Sequence, residues 1–250
     1  SFTQATASNG TDGIQVDAGD NSTSDVSITG STFTGWNQAP INLSSAGSAT
    51  QTFNVFSNPT ISAGVGQGIN VIANNSSTAR GFITSNPSIT SGVGNNNGVG
   101  ISLEADVNGR VIANVNGNTV TNFAYGVWPK AREAGNAQLD LTLQNNTVTA
   151  GGSLAFAGLF AEAGNGDGQN TRMCMNLVNN NITKGPAAAV VDYSLGQYIG
   201  STFQLQGFVG NGTNPTDVQN FVSSRDVGGA TTDVTGGTTI NFTAATCATP

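Results

Sequence analysis

Asn116-Gly117-Asn118-Thr119-Val120-Thr121 is the stretch that decides the fold, because near-copies of it recur along the chain. Each copy places polar turn-forming residues before one apolar anchor and a Thr or Ser directly after it. The six anchors have spacings of 28, 28, 31, 28 and 34 residues, obtained by subtracting the residue numbers of Phe33, Ile61, Ile89, Val120, Val148 and Ile182. A long and nearly constant period is typical of a repeat architecture.

Short runs of alternating apolar and polar residues flank every anchor, which is the sequence signature of β-strands. The runs before the anchors contain Val26/Ile28, Phe53/Val55, Val111/Val115, Leu139/Leu141/Leu143 and Met175/Leu177. The runs after the anchors contain Ile41/Leu43, Ile69/Val71, Ile101/Leu103, Val127, Leu159 and Val190, and an earlier copy opens at Ile14. Each repeat therefore contains strands separated by an Asn-rich turn and a Gly-rich loop.

These repeats predict an all-β fold, a right-handed parallel β-helix solenoid of about seven coils. The units are too short for propeller blades of about 40–50 residues, and they lack the 3.6-residue period of helical repeats. In a β-helix the equivalent positions of successive coils stack about 4.8 Å apart, so the anchors should form one inward column. Asn at the turns accepts left-handed backbone geometry and can form a hydrogen-bonded ladder between coils.

Composition excludes several classes of function. Only 8% of the 250 residues are charged, the net charge is −7, and the seven Lys and Arg residues form no cluster. We therefore expect no nucleic-acid partner, and the short apolar runs predict no membrane span. The absence of His removes the usual zinc and imidazole chemistry. The two Cys residues allow either two free thiols or one disulfide, and the composition favours a secreted or cell-surface location.

Two parts of the chain resemble known proteins. The stretch from Asn118 to Val127 resembles the parallel β-helix repeats of the pectin-lyase-like superfamily. Residues 205–210, 217–222 and 247–250, with the strand at 174–177, are similar to the closing segment of very large bacterial extracellular repeat proteins. The first resemblance covers nearly all of the chain and the second covers roughly residues 172–250. Together they imply a surface or adhesin-like protein, and we predict a Cys174–Cys247 disulfide that ties the last coils to the closing segment.

The closing segment contains one predicted helix. Asn214 suits the N-cap, Pro215 the first helical position and Asp217 the positive end of the helix dipole. A solenoid end exposes apolar surface and unpaired strands, so it needs a cap. We therefore divide the chain into a β-helix at residues 1–200 and a capping segment at residues 201–250. The amino-terminal end lacks a comparable cap, and we expect further coils, domains or subunits there.

Two functions remain open. The first is a structural or adhesive module that contacts surface glycans or other extracellular proteins, and the second is a β-helix that binds or cleaves polysaccharide. The family resemblance implies that a lyase would hold Ca²⁺ in a carboxylate cluster beside a basic residue, whereas the acids here are mostly dispersed. Weak calcium candidates are Asp12, Asp17, Asp20 and Asp25, with Asp167 in a Gly-rich loop. We predict no catalytic residues and no other cofactor.

A candidate binding strip emerges when the second strands of all coils are aligned. The alignment places Ile14, Ile41, Ile69, Ile101, Val127, Leu159 and Ala189 inward, and it places Asp17, Ser44, Ile72, Glu104, Lys130, Glu162 and Asp192 outward, three positions later. Asp106 then lies beside Arg132, and Trp128 beside Phe160. We predict that this strip forms either a salt-bridge ladder with an aromatic pair or a shallow site for a saccharide or protein. Its seven residues are Glu104, Asp106, Trp128, Lys130, Arg132, Phe160 and Glu162.

Overall fold

Three parallel β-sheets run side by side through the computed structural model of the chain. The structure describes residues 2–3, 12–91, 98–133, 135–151, 155–166, 169–185, 191–236 and 240–250. Successive passes of the chain add one strand to each sheet, which makes the fold an all-β parallel solenoid of about six turns with a single short helix in the described residues. The predicted fold class is thereby confirmed.

The first sheet contains the strands that carry the anchors. Strands are numbered in chain order. The members of this sheet among the described residues are β1 (Phe2–Thr3), β4 (Thr32–Trp36), β7 (Thr60–Ala63), β10 (Ile89–Ser91), β13 (Thr119–Phe123), β16 (Thr147–Ala150) and β19 (Asn181–Thr183). The six anchors are Cα partners in consecutive strands, and each is at most 1% exposed. The predicted inward column of anchors is therefore confirmed.

The second sheet contains the strands that follow the anchors. Within the described ranges it contains β2 (Ile14–Ala18), β5 (Ile41–Ser45), β8 (Gln67–Asn74), β11 (Val99–Asp106), β14 (Tyr125–Arg132), β17 (Ala157–Ala163), β20 (Val191–Gln197) and β22 (Thr232–Gly236). The inward alignment from Ile14 to Leu159 is confirmed. The prediction for the next coil is wrong, because Leu159 pairs with Tyr193. Ala189 lies outside the described residues, and Asp192 precedes the inward Tyr193 instead of lying three positions after the inward residue.

The third sheet contains the strands that precede the anchors. In the part of the chain that the structure describes, its members are β3 (Thr23–Thr29), β6 (Thr50–Phe56), β9 (Thr78–Thr84), β12 (Arg110–Asn116), β15 (Gln138–Gln144), β18 (Arg172–Val178), β21 (Thr202–Gln206) and β23 (Phe242–Ala245). The inward side chains of all three sheets pack into one continuous apolar core. Because inward residues alternate with outward ones, each sheet also presents an outer face on which functional side chains can lie.

An asparagine ladder runs through the turns between the third and first sheets. The ladder residues are Asn58, Asn86, Asn118, Asn146 and Asn180. Each one after Asn58 accepts hydrogen bonds at Oδ1 from the backbone N–H and the side-chain amide of the ladder residue one turn earlier. The residue before each ladder position has a positive φ angle, as at Gly117 and Asn145. In each turn, one residue therefore adopts the left-handed backbone conformation and the next residue supplies the ladder amide.

Glycines stand where the chain enters the second sheet, because the anchors leave no room for a side chain. A Cβ atom on Gly100 would lie 2.2 Å from Cγ1 of Val120, and one on Gly126 would lie 2.1 Å from Cγ1 of Val148. Gly68 and Gly158 meet the anchors Ile89 and Ile182 in the same way. The anchors therefore pack directly against the backbone of these glycines, which is why no larger residue fits there.

The closing segment shares sheets with the coils that precede it. β21 pairs with β18, β22 with β20 and β23 with β21, and the helix α1 (Pro215–Ser223) lies between β21 and β22 in the chain. Asn214 caps this helix and Pro215 occupies its first turn, which confirms the predicted start. Val218 and Val222 are buried against the core. The predicted disulfide between Cys174 and Cys247 is also confirmed.

Candidate functional site

Strands β11, β14 and β17 place the predicted strip on the outer face of the second sheet. Glu104 pairs in register with Lys130 and Lys130 with Glu162, while Asp106 pairs with Arg132. The structure therefore brings the charged residues together as the alignment predicted. In the following coil the position equivalent to Glu162 is Gly196, so this charged column ends at Glu162.

The two cations of the strip are neutralised within it. Lys130 Nζ lies 2.6 Å from Oε2 of Glu104, and Arg132 forms an ion pair with Glu162 instead of its register neighbour Asp106. Lys130 is only 8% exposed and Glu162 is also buried. Because both cations already have anionic partners, an incoming acidic ligand would have to displace a carboxylate of this chain.

Trp128 holds the centre of the strip. Its indole Nε1 donates a hydrogen bond of 2.8 Å to Oε2 of Glu162, the carboxylate that also binds Arg132. Lys130 Nζ and Arg132 Cζ lie 4.4 Å and 4.9 Å from the centroid of the indole ring. The Tyr125 ring stacks on Trp128 with its centroid 4.7 Å away. Trp128 is thus a packing centre for the strip, since cations and an aromatic ring already lie against it.

Two aromatic residues outside the predicted strip complete the cluster. Tyr125 lies 5.5 Å from both Phe156 and Phe160, and the last two rings lie 5.1 Å apart in an edge-to-face arrangement. Phe160 is also 5.6 Å from Trp128, which confirms the predicted aromatic pair. Phe156 is 37% exposed and Phe160 is half-buried. We call Tyr125, Trp128, Phe156 and Phe160 the aromatic cluster.

The sequence did carry a signal for the two missed rings. Tyr125 lies two positions before the inward Val127, and the next coil places Ala157 opposite Tyr125. Phe156 comes immediately before Ala157, at the point where the chain enters β17. Extending the alignment upstream of the inward column would have brought both aromatic residues next to Trp128 and Phe160.

Burial and neighbouring carboxylates raise the pKa of two groups in this region, the Asp106 carboxyl and the Tyr125 hydroxyl. Burial raises the pKa of Asp106, and the charges of Glu104 and Glu133 raise it further. Burial also raises the pKa of Tyr125, and the negative charge of Glu162 acts in the same direction. Asp106 therefore carries its negative charge at a cost in the folded state.

The four weak calcium candidates do not converge. Asp12 accepts hydrogen bonds from the Ala39 backbone N–H and the Asn42 amide, Asp17 binds Gln15 and Ser44, and Asp25 binds Thr52. Asp20 is exposed in a turn with a positive φ angle. Asp167 lies outside the described residues. Across the part of the chain that the structure describes, no group of three or more His, Cys, Asp or Glu residues could hold a metal ion.

Comparisons with protein-family models, with curated proteins and with solved structures found no match for this chain. No helix within the described ranges is long and apolar enough to cross a membrane.

Proposed function

We propose that this chain is a structural and adhesive module of a large secreted or cell-surface bacterial protein. The aromatic cluster carries the proposal, because it combines an exposed apolar edge with a rigid support. Phe156 is exposed and Phe160 is half-buried beside Trp128, whose ring lies against the ion-paired cations Lys130 and Arg132. A preorganised aromatic patch contacts a partner with little loss of side-chain freedom.

Three other features support an extracellular, load-resistant module. The disulfide fits an oxidising compartment. The buried asparagine ladder and the parallel sheets tie each turn to the next. The resemblance of residues 172–250 to the closing segment of large bacterial surface proteins points the same way.

The aromatic cluster also favours a second candidate, a saccharide-binding β-helix related to the pectin-lyase-like superfamily. Exposed rings such as Phe156 can pack against the C–H face of a sugar, whereas the paired cations leave little free positive charge for uronate groups. We therefore expect neutral saccharides or protein surfaces to bind better than acidic polysaccharides.

One experiment separates these functions. The purified chain is applied to a glycan array and to immobilised extracellular proteins, and it is incubated in parallel with pectate while absorbance of unsaturated uronate is recorded. The adhesive proposal predicts binding without new absorbance. Growth of the uronate absorbance would overturn it in favour of a lyase, and the absence of any binding partner would overturn adhesion.

A further inference from the structure

A concave feature lies on the outer face of the third sheet, away from the aromatic cluster. It is a cavity of about 490 Å³, formed where β3, β6 and β9 lie side by side. Asp25, Thr52, Asn54, Arg80 and Phe82 line it, and Pro250 forms part of its wall. This volume falls within the range of small-molecule sites, which is roughly 300–1,000 Å³.

The wall at Pro250 is held in place by the carboxyl-terminal tail. Cys247 is bonded to Cys174 on β18, and the backbone N–H of Ala248 donates a 3.2 Å hydrogen bond to Oδ1 of Asp140 on β15. Asp140 is itself buried between Arg110 and Arg172. The tail, residues 246–250, therefore crosses the strands toward β9, and its two attachments to β18 and β15 fix its path to the cavity.

The cavity contains a cation, Arg80, that no described residue neutralises through an ion pair. Within the part of the chain that the structure describes, four of the seven basic residues form ion pairs, namely Arg110 and Arg172 with Asp140, Lys130 with Glu104 and Arg132 with Glu162. Arg80 is exposed and forms no ion pair with any residue that the structure describes. Phe82, two residues further along β9, is 41% exposed. A free guanidinium and an exposed phenyl ring therefore share one concavity.

We propose that this cavity binds a small monocarboxylate that carries an apolar group. The Arg80 guanidinium would pair with the carboxylate, since its planar fork matches the two carboxylate oxygens. Phe82 and Pro250 would cover the apolar group. Asp25 stands two turns from Arg80 in the same outward column, roughly 10 Å away at strand spacing, and its charge would repel a second anionic group. The site is separate from the aromatic cluster, so it goes beyond the adhesive function.

Titration calorimetry of the whole chain tests this proposal with phenylacetate and its neutral analogue phenylacetamide as probes. We expect saturable binding of phenylacetate and at least about tenfold weaker binding of phenylacetamide, since a charge-assisted pair is lost. Arg80→Gln should weaken phenylacetate by a similar factor and leave phenylacetamide unchanged, and Phe82→Ala should weaken both. Lys184→Gln removes the same charge outside the cavity and should change neither.

The proposal is overturned if phenylacetate shows no saturable binding, if phenylacetamide binds as tightly, or if Arg80→Gln binds like the unmodified chain. Thermal melting of each variant confirms folding, and Arg80 is exposed, so its loss leaves the core intact. Adhesion through the aromatic cluster is measured separately, on glycans and extracellular proteins. The cavity proposal and the adhesive proposal can therefore fail independently of each other.

Discussion

The backbone N–H and the side-chain amide of Asn118 both donate hydrogen bonds of 3.0 Å to Oδ1 of Asn146, although the two residues are 28 positions apart. Asn118 Oδ1 receives the same pair of hydrogen bonds from Asn86. Its amide also reaches the backbone carbonyl of Ile83 at 2.8 Å. One buried side chain therefore connects three turns of the solenoid, which makes the ladder a test of how the repeat holds together.

Replacing Asn118 with Ala should lower the free energy of unfolding by about 2–4 kcal/mol, because several buried donors and acceptors lose their partners at once. The measurement is a urea unfolding curve followed by circular dichroism. Asn54→Ala provides the matched control, since Asn54 is exposed on β6, and it should change the unfolding free energy by less than about 0.5 kcal/mol. Equal unfolding midpoints for both variants would show that the ladder does not stabilise the fold.

Gly126→Ala should destabilise the fold by about 3 kcal/mol or more, because the added Cβ would overlap the Val148 side chain and approach the Gly158 carbonyl oxygen within 2.4 Å. Gly19→Ala is the control, since a Cβ there meets nothing within 4 Å. Thermal unfolding of both variants measures the difference. A Gly126→Ala protein that melts with the unmodified chain would contradict the packing of anchors against glycines.

Asp106→Asn should stabilise the fold at neutral pH. The pKa of Asp106 is raised in the folded state by burial and by Glu104 and Glu133. The folded state then binds more protons than the unfolded state, so the unfolding free energy falls as pH rises above 3.8, the ordinary pKa of an aspartate side chain. Unfolding curves at several pH values should show a gain for Asp106→Asn near pH 7 that disappears below that value. A gain that is equally large in acid would refute this electrostatic cause.

Removing the disulfide by Cys174→Ser with Cys247→Ser should cost about 2–5 kcal/mol, since the bond closes a loop with a sequence separation of 73 residues. Denaturant unfolding with and without a reducing agent measures this effect. Reductant should lower the midpoint of the unmodified chain to that of the double variant and leave the variant unchanged. A midpoint of the unmodified chain that does not respond to reductant would contradict a stabilising role for this bond.

Much of the fold could be predicted because its determinants repeat. The anchors, the turn asparagines and the inward column of the second sheet recur at a readable period, and the helix start at Asn214 has a local signature. The register predicted for the last coil is wrong because Tyr193 follows Leu159 at a longer spacing than the inward residues of the earlier coils show. The path of the tail over Asp140 had no periodic signal, since it depends on contacts between residues 108 positions apart.

The candidate site was predicted less completely. Alternation placed Glu104, Lys130 and Glu162 in one column, because β-strand geometry fixes which residues point outward. Alternation could not decide that Arg132 pairs with Glu162 instead of Asp106, since long side chains choose among several partners within reach. The cavity at Arg80 and Phe82 was also not predicted, because the tail that walls it comes from the far end of the sequence.

The central proposal is that the aromatic cluster forms an adhesive surface. The most direct test takes a glycan or extracellular protein that binds the unmodified chain on the array and measures its binding to a double variant. Phe156→Ser with Phe160→Ser removes the exposed ring and its half-buried neighbour and leaves the ion pairs of Lys130 and Arg132 in place. Phe56→Ser is the control, since Phe56 is similarly exposed on the third sheet. The account predicts at least about tenfold weaker binding for the double variant and unchanged binding for the control. Equal binding by all three folded proteins would contradict it.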